Sequence, residues 1–125
     1  MNPNEFAQKL IEVQDLMKDE KYEEAIVILE KLKEIDKKGD FDYNLTHKLY
    51  QLISNTHSLY HQKIIINEIN SMMLKKRVYP ISELHQLINK RTNLNLDLKD
   101  FRKEIELLIL RNILTGSIDG DLLIF

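Results

Sequence analysis

The amino-acid sequence predicts a mostly helical (mostly α) protein, in which an N-terminal helical bundle packs on a C-terminal unit that ends in a small antiparallel β-sheet. Two observations support this prediction. Apolar residues recur every three or four positions along most of the chain, which is the spacing of one face of an α-helix. Residues 113–125 lack that spacing, and Asp119-Gly120 supplies the two central residues of a type I′ turn between two short strands.

Residues 1–57 are predicted to form the N-terminal bundle. Asn2-Pro3 is typical of a helix start, and the apolar spacing predicts helices over 5–18 and 22–35. These helices would form an antiparallel hairpin. The second is similar to that of a tetratricopeptide repeat, because an aromatic residue is followed three positions later by a small one. The polar segment 36–42 ends this TPR-like hairpin.

Residues 58–125 are predicted to form the C-terminal unit. Helical spacing continues over 43–76, and the polar residues 54–56 either divide this stretch into two helices or lie within one long helix. Pro80 disfavours helical geometry at the residue before it, which predicts a short strand over 78–81.

Two further helices are predicted before the terminal hairpin. Ser82 is the predicted cap of a helix to Arg91, and Asp97 is the predicted cap of a helix to Arg111. One stripe of the last helix is mostly apolar and contains Leu98, Phe101, Ile105, Leu108 and Asn112. The apolar residues Leu107, Ile109 and Leu110 widen it. We expect it to be buried on most sides, with the N-terminal helices among its partners. Three helices followed by a hairpin is the order of a winged-helix domain, a fold that binds DNA or other proteins.

Composition and charge exclude several classes of protein. The chain has no cysteine, which excludes disulfides and thiolate metal sites, and no apolar run approaches the ~20 residues that cross a bilayer. We therefore expect a cytoplasmic protein with no membrane partner. Residues 1–60 carry 8 basic and 12 acidic side chains, a net charge of −4, whereas residues 61–125 carry 10 and 8, a net charge of +2. Neither half is the strongly basic surface that phosphate binding requires.

DNA binding is the alternative function that a winged helix leaves open. The polar face of the last helix mixes charges, and the hairpin turn carries carboxylates that phosphate would repel. These residues are Lys99, Asp100, Arg102, Lys103 and Glu106 on the helix, and Asp119 and Asp121 at the turn. In a DNA-binding transcriptional regulator, Lys99, Arg102 and Lys103 would contact the nucleic acid. The basic clusters at 75–77 and 90–91 are interpreted as solvated helix ends.

The apolar end of the chain predicts a protein-binding surface. Residues 122–125 are apolar on both faces of a strand, and an open edge there would be a template for another chain. In the alternative, Leu123 and Phe125 pack beneath the sheet and the other two rest on neighbouring helices. The predicted partner-binding residues are Leu114, Ile118, Leu122, Ile124 and Phe125, with the N-terminal hairpin as a second surface. The expected partner is another protein subunit, and self-association stays open.

No catalytic residue, cofactor or metal site is predicted, so we do not expect an enzyme. His57 and His61 lie one helical turn apart, but a zinc site needs three or four ligands. Ser82 and His85 lack an acidic third partner at a fixed spacing. The acidic residues within 15–24 are interpreted as a solvated face, with weak binding of a cation or a basic partner as the alternative.

The segment Leu108–Asp119 resembles the C-terminal signature of the PCI domain, which scaffold subunits of the proteasome lid, the COP9 signalosome and a translation initiation factor share. Leu114–Asp119, followed by an apolar strand, is most similar to the DDRGK-domain family, whose members are partner subunits of the ligase for the ubiquitin-fold modifier. The resemblance covers residues 64–125. It implies a non-catalytic adaptor or scaffold that pairs with the winged helix of a partner subunit.

Overall fold

The computed structural model describes residues 1–72 and 76–125. Within them lie five helices and three strands: α1 Pro3–Lys18, α2 Tyr22–Lys38, α3 Tyr43–Ser71, β1 Val78–Pro80, α4 Ile81–Arg91, α5 Leu98–Leu110, β2 Ser117–Asp119 and β3 Leu122–Ile124. A mostly helical chain with a small antiparallel sheet is therefore confirmed. The chain divides into two compact units, Met1–Tyr60 and His61–Phe125, and this boundary lies inside α3, three residues beyond the predicted one. No helix of the described residues is long and apolar enough to span a membrane.

The first unit consists of α1, α2 and the beginning of α3. The Asn2 side chain accepts a hydrogen bond from the Glu5 backbone N–H at 2.8 Å, which confirms the predicted cap. The helix begins at Pro3, two residues before the predicted start. The core of the first unit contains residues from all three helices: Phe6, Leu10 and Val13 from α1, Ala25, Leu29 and Leu32 from α2, and Leu49 and Leu52 from α3. The Phe41 ring, from the segment before α3, packs on the Phe6 ring with 4.5 Å between centroids.

α3 is one uninterrupted helix, which answers the question left open by the polar residues 54–56. Thr56 is fully buried, and its hydroxyl donates to the Met17 sulfur at 3.1 Å. A polar residue here therefore faces the protein interior with its hydrogen bond satisfied. The helix ends at Ser71, although the sequence predicted it to reach Lys76. The predicted positions 73–75, including part of one basic cluster, lie outside the described residues.

The sheet of the second unit has the strand order β1-β3-β2, and both pairs are antiparallel. The prediction that the terminal strand leaves an open edge is wrong, since β3 lies in the middle of the sheet. The segment Val78–Pro80 pairs with one side of β3 and Ser117–Asp119 with the other. Local sequence patterns cannot reveal this arrangement, because β1 pairs with a strand more than forty residues further along the chain.

The hairpin turn is displaced by one residue from its prediction. Asp119 pairs with Leu122, so the central turn residues are Gly120 and Asp121. Gly120 has a φ of 59°, whereas Asp121 is not among the residues with positive φ, which matches type II′ and not type I′. The displacement frees the Asp121 side chain and carbonyl for contacts outside the hairpin.

Asp121 caps α4, where the sequence predicted Ser82 to do so. The helix begins at Ile81, whose N–H donates to the Asp121 carbonyl oxygen at 2.6 Å. The Asp121 carboxylate accepts from the Ser82 backbone N–H at 3.2 Å and from the Ser82 hydroxyl at 2.7 Å. Two of the four free N–H groups at the start of α4 are therefore satisfied by the β2–β3 turn, from a distant part of the sequence.

α5 starts as predicted, because the Asp97 side chain accepts from the Asp100 N–H at 2.8 Å. The prediction that it is buried on most sides is wrong, since Leu98 is exposed and Leu110 keeps 77% of its accessible surface. Asn112 does not continue the apolar stripe, because it lies beyond the helix with a φ of 59°. The buried side of α5 belongs to the core of the second unit: Ile65, Ile69, Ile81, Leu84, Ile88, Leu94, Phe101, Ile105, Leu108, Leu114 and Leu123.

Candidate functional site

The inner face of the three-stranded sheet lies on the core of the second unit. Tyr79, Leu123 and Ile118 stand directly opposite one another across the strands, and all three belong to or pack against that core. Successive side chains of a strand point to opposite faces, so the remaining strand residues lie on the other face. The register thus separates the core residues of the sheet from those that meet solvent.

The solvent side of the sheet is apolar over two of its three strands. Val78 on β1 is paired with Ile124 on β3, and Pro80 is paired with Leu122. We call these four residues the outer sheet face. Val78 keeps 42% and Leu122 39% of their accessible surface, while Pro80 and Ile124 are partly buried. Directly opposed side chains of an antiparallel pair are in contact range, so the four form one continuous patch.

The polar boundary of the outer sheet face lies on β2. Ser117 is paired with Ile124 and Asp119 with Leu122, and both polar residues are exposed. The patch is thus apolar at β1 and β3 and becomes polar at the β2 edge.

The predicted partner-binding residues divide between the two faces of the sheet and the core. Leu122 and Ile124 lie on the outer sheet face, whereas Ile118 packs against the core and Leu114 is buried within it. Phe125 is partly buried and packs against the core, and its ring is nearly perpendicular to the Tyr79 ring, with 6.1 Å between centroids.

Sequence reasoning missed two residues of the outer sheet face, Val78 and Pro80. The signal that was available is Pro80, which predicts an extended segment over 78–81 outside the terminal hairpin. Its partner and register depend on tertiary packing, so the sequence could not place these side chains beside Leu122 and Ile124.

Arg102 joins the hairpin turn to α5. Its Nη1 donates to the Gly120 carbonyl oxygen at 2.5 Å and its Nε to the Glu106 carboxylate at 3.1 Å. Of the three residues predicted to contact nucleic acid, Arg102 is therefore held by intramolecular contacts. Lys99 and Lys103 are exposed on the same helix.

A buried polar cluster in the second unit was not predicted. Glu104 and Gln62 are both nearly inaccessible, and the Gln62 amide donates to the Glu104 carboxylate at 3.3 Å. The Arg111 guanidinium, at the end of α5, donates to the Gln62 side-chain oxygen. Such hydrogen bonding satisfies a carboxylate that would otherwise be costly to bury, so the cluster is interpreted as structural.

Three titratable side chains, His85, His57 and Tyr60, make contacts within the protein. The His85 Nε2 lies 2.6 Å from the Leu96 carbonyl oxygen, which also accepts from the Asn89 amide at 2.8 Å. His57 approaches Glu30 at 3.8 Å. Burial and a hydrogen bond to Glu23 raise the pKa of Tyr60 above 10.0. In the described part of the chain, no group of three or more His, Cys, Asp or Glu side chains could hold a metal ion.

Compared with protein-family profiles, with curated proteins and with solved structures, the chain gave no match.

Proposed function

We propose that this chain is a non-catalytic adaptor or scaffold subunit, whose second unit is a winged helix that binds another protein through the outer sheet face. The observation that supports this most is the pairing of Val78 with Ile124 and of Pro80 with Leu122 on the solvent side of the sheet. The order of helices and strands, with the terminal strand in the middle of the sheet, is the arrangement expected of a winged helix.

The chemistry of the outer sheet face suits a polypeptide partner. Apolar area that leaves water on binding contributes roughly 25 cal/mol per Å², and the half-exposed Val78 and Leu122 have such area to lose. The side chains stand on hydrogen-bonded strands, so little conformational entropy is lost when a partner covers them. Asp119 at the border adds a carboxylate, which favours a partner that offers a donor there.

The partner proposed from the resemblance is the winged helix or PCI-like domain of another subunit. The narrower form of this proposal, a subunit of a ubiquitin-like-modifier ligase, depends only on the resemblance of Leu114–Asp119 and the apolar strand that follows it. A cytoplasmic location belongs to the same proposal.

DNA binding is less well supported than protein binding. Arg102 is engaged by Gly120 and Glu106, and Asp119 at the hairpin would meet phosphate with a like charge. The alternative predicts salt-sensitive binding to duplex DNA that is lost when Arg102 and Lys103 are replaced by glutamate.

The experiment that tests the proposal compares two lysine substitutions in the full-length chain. Leu122→Lys places a charge on the outer sheet face, and Val27→Lys is the matched control on α2, where Val27 keeps 54% of its surface. Tagged protein is used to capture partners from a lysate of the source cells, and circular dichroism verifies that both variants fold. We expect a captured subunit to be lost with Leu122→Lys and kept with Val27→Lys. Equal capture by both variants, or duplex binding with a steep salt dependence, would contradict the proposal.

A further inference from the structure

The solvent side of α5 presents a second surface with a different chemistry. Lys99, Lys103, Glu106 and Leu110 follow one another at intervals of three or four residues, so they share one side of the helix, opposite the buried stripe. All four are exposed, and Leu110 keeps more of its surface than any other leucine or isoleucine in the described residues. Ile113, in the turn that closes the helix, is also exposed. The apolar end of this side therefore adjoins its charged part.

The net charge of this side is positive. Glu106 is paired with Arg102 at 3.1 Å, so these two charges offset each other. Within residues 1–72 and 76–125, neither Lys99 nor Lys103 forms an ion pair. Asp100 lies about 100° around the helix from Lys99 and about 60° from Lys103, and among the described residues it forms no ion pair with either lysine. Two ammonium groups without an ion pair therefore lie on the same side of the helix as an exposed leucine.

We propose that Lys99, Lys103, Leu110 and Ile113, which we call the α5 face, bind an acidic peptide segment of a partner protein that carries an apolar anchor. Charge complementarity selects the acidic residues of that segment, and the exposed Leu110 and Ile113 select its apolar side chain. A nucleic acid would satisfy the lysines but would leave the two apolar side chains against phosphate and sugar. A purely apolar segment would leave both lysines without a counter-charge.

The helix geometry sets the spacing of the partner's groups. Lys99 and Lys103 are separated by about 6 Å along the axis, and Leu110 lies about 10 Å beyond Lys103, at 1.5 Å per residue. An α-helical partner would therefore carry two carboxylates one turn apart and an apolar side chain about two turns further on. This surface is separate from the outer sheet face, because none of its residues belongs to the strands.

The test uses the full-length chain labelled with 15N and three probes. The first is a synthetic helical peptide with two glutamates one turn apart and a leucine two turns further on. The second has lysines in place of the glutamates, and the third is a short DNA duplex. Amide shifts locate the binding site, and titration gives the affinity. We expect the acidic peptide to shift amides of residues 98–113 and to bind more tightly than the other two probes.

Variants separate the contributions to binding. The double variant Lys99→Glu, Lys103→Glu should lower the affinity for the acidic peptide about tenfold or more, because it removes the charged part of the α5 face. Leu110→Ser should lower this affinity about tenfold, because it removes the apolar part. Lys90→Glu, an exposed lysine on α4, is the charge control and should bind as the wild type does. Leu122→Ser should also bind normally, which separates this proposal from the function assigned to the outer sheet face.

Three outcomes would overturn the proposal. The first is that the acidic peptide leaves the α5 amides unshifted. The second is tighter binding of the duplex, with no effect of Leu110→Ser. The third is that Lys90→Glu lowers the affinity for the acidic peptide as much as the double variant does. That result would indicate a general attraction of the peptide to the positive charge of the second unit.

Discussion

Gly116 has a role that only its close contact with β3 explains. A Cβ atom built on Gly116 would lie 2.8 Å from the Ile124 carbonyl oxygen, which is closer than real Cβ contacts. Gly120 differs, because a Cβ there meets open space but the backbone has a φ of 59°. Glycine is therefore needed at one position for space and at the other for conformation.

These two causes give opposite results when asparagine is the replacement. Gly116→Ala should lower the free energy of unfolding by about 1–3 kcal/mol, and Gly116→Asn should be no better, because the backbone of Ile124 must move. Gly120→Ala should cost about 1 kcal/mol, and Gly120→Asn should recover part of it, because asparagine adopts a positive φ more readily than alanine. Urea unfolding of the four variants measures both effects. Recovery at Gly116 by asparagine would show that the contact with Ile124 does not limit this position.

The Tyr60 hydroxyl links stability to alkaline pH. Its pKa is raised above 10.0 by burial, by the hydrogen bond to Glu23 and by the charge of that carboxylate. Folding therefore favours the protonated phenol, and this contribution is complete below pH 10 and is lost as the pH rises through the folded-state pKa. We expect Tyr60→Phe to remove a phenol that ionises above pH 10 from an ultraviolet absorbance titration, and to make the free energy of unfolding depend less on pH above pH 10. An unchanged titration curve would contradict this assignment.

At the scale of elements, α4 depends on a cap supplied by the hairpin. Asp121→Ala removes the acceptor of the Ser82 N–H and hydroxyl, and we expect a loss of about 1 kcal/mol. Asp121→Asn keeps a side-chain oxygen and should lose less. Asp119→Ala is the control, because this exposed neighbour makes no side-chain hydrogen bond among the described residues. Thermal unfolding followed by circular dichroism compares the three variants, and equal losses for Asp119→Ala and Asp121→Ala would exclude a capping role.

Elements whose signals are local were predictable from the sequence, and contacts between distant elements were not. The starts of α1 and α5 follow from Asn2 and Asp97, because the capping side chain and the N–H group that donates to it lie only three residues apart in the sequence. The cap of α4 and the neighbours of β3 come from segments about forty residues away, which no local pattern encodes.

The limits of periodicity also explain the errors on α5. When the end of a helix is apolar on all sides, periodicity does not indicate which of its residues other elements will bury. Leu110 was therefore predicted to be buried, although it is exposed. The same limit applies to the candidate site. Leu122 and Ile124 were identified from their apolar character, but Val78 and Pro80 required the strand register.

At the scale of the whole molecule, each unit has its own hydrophobic core. We expect Leu29→Ala in the first core and Ile88→Ala in the second each to cost about 2–5 kcal/mol, since both side chains are almost completely buried. Amide hydrogen exchange should then show protection lost first around the substituted core. α1 and α2 would exchange faster in the first variant, and the β-sheet in the second. The same uniform loss of protection in both variants would contradict separate cores.

The backbone of β1 has a consequence for how the protein behaves at high concentration. Phe125 donates to the Arg77 carbonyl and Ile81 to the Asp121 carbonyl, a pattern that turns the Tyr79 backbone toward β3 and those of Val78 and Pro80 away from it. Proline has no N–H to donate, so a strand from a second molecule that paired with the free edge of β1 would lack a hydrogen-bond donor at Pro80. An apolar sheet can thus remain displayed to water without seeding fibrous growth along that border.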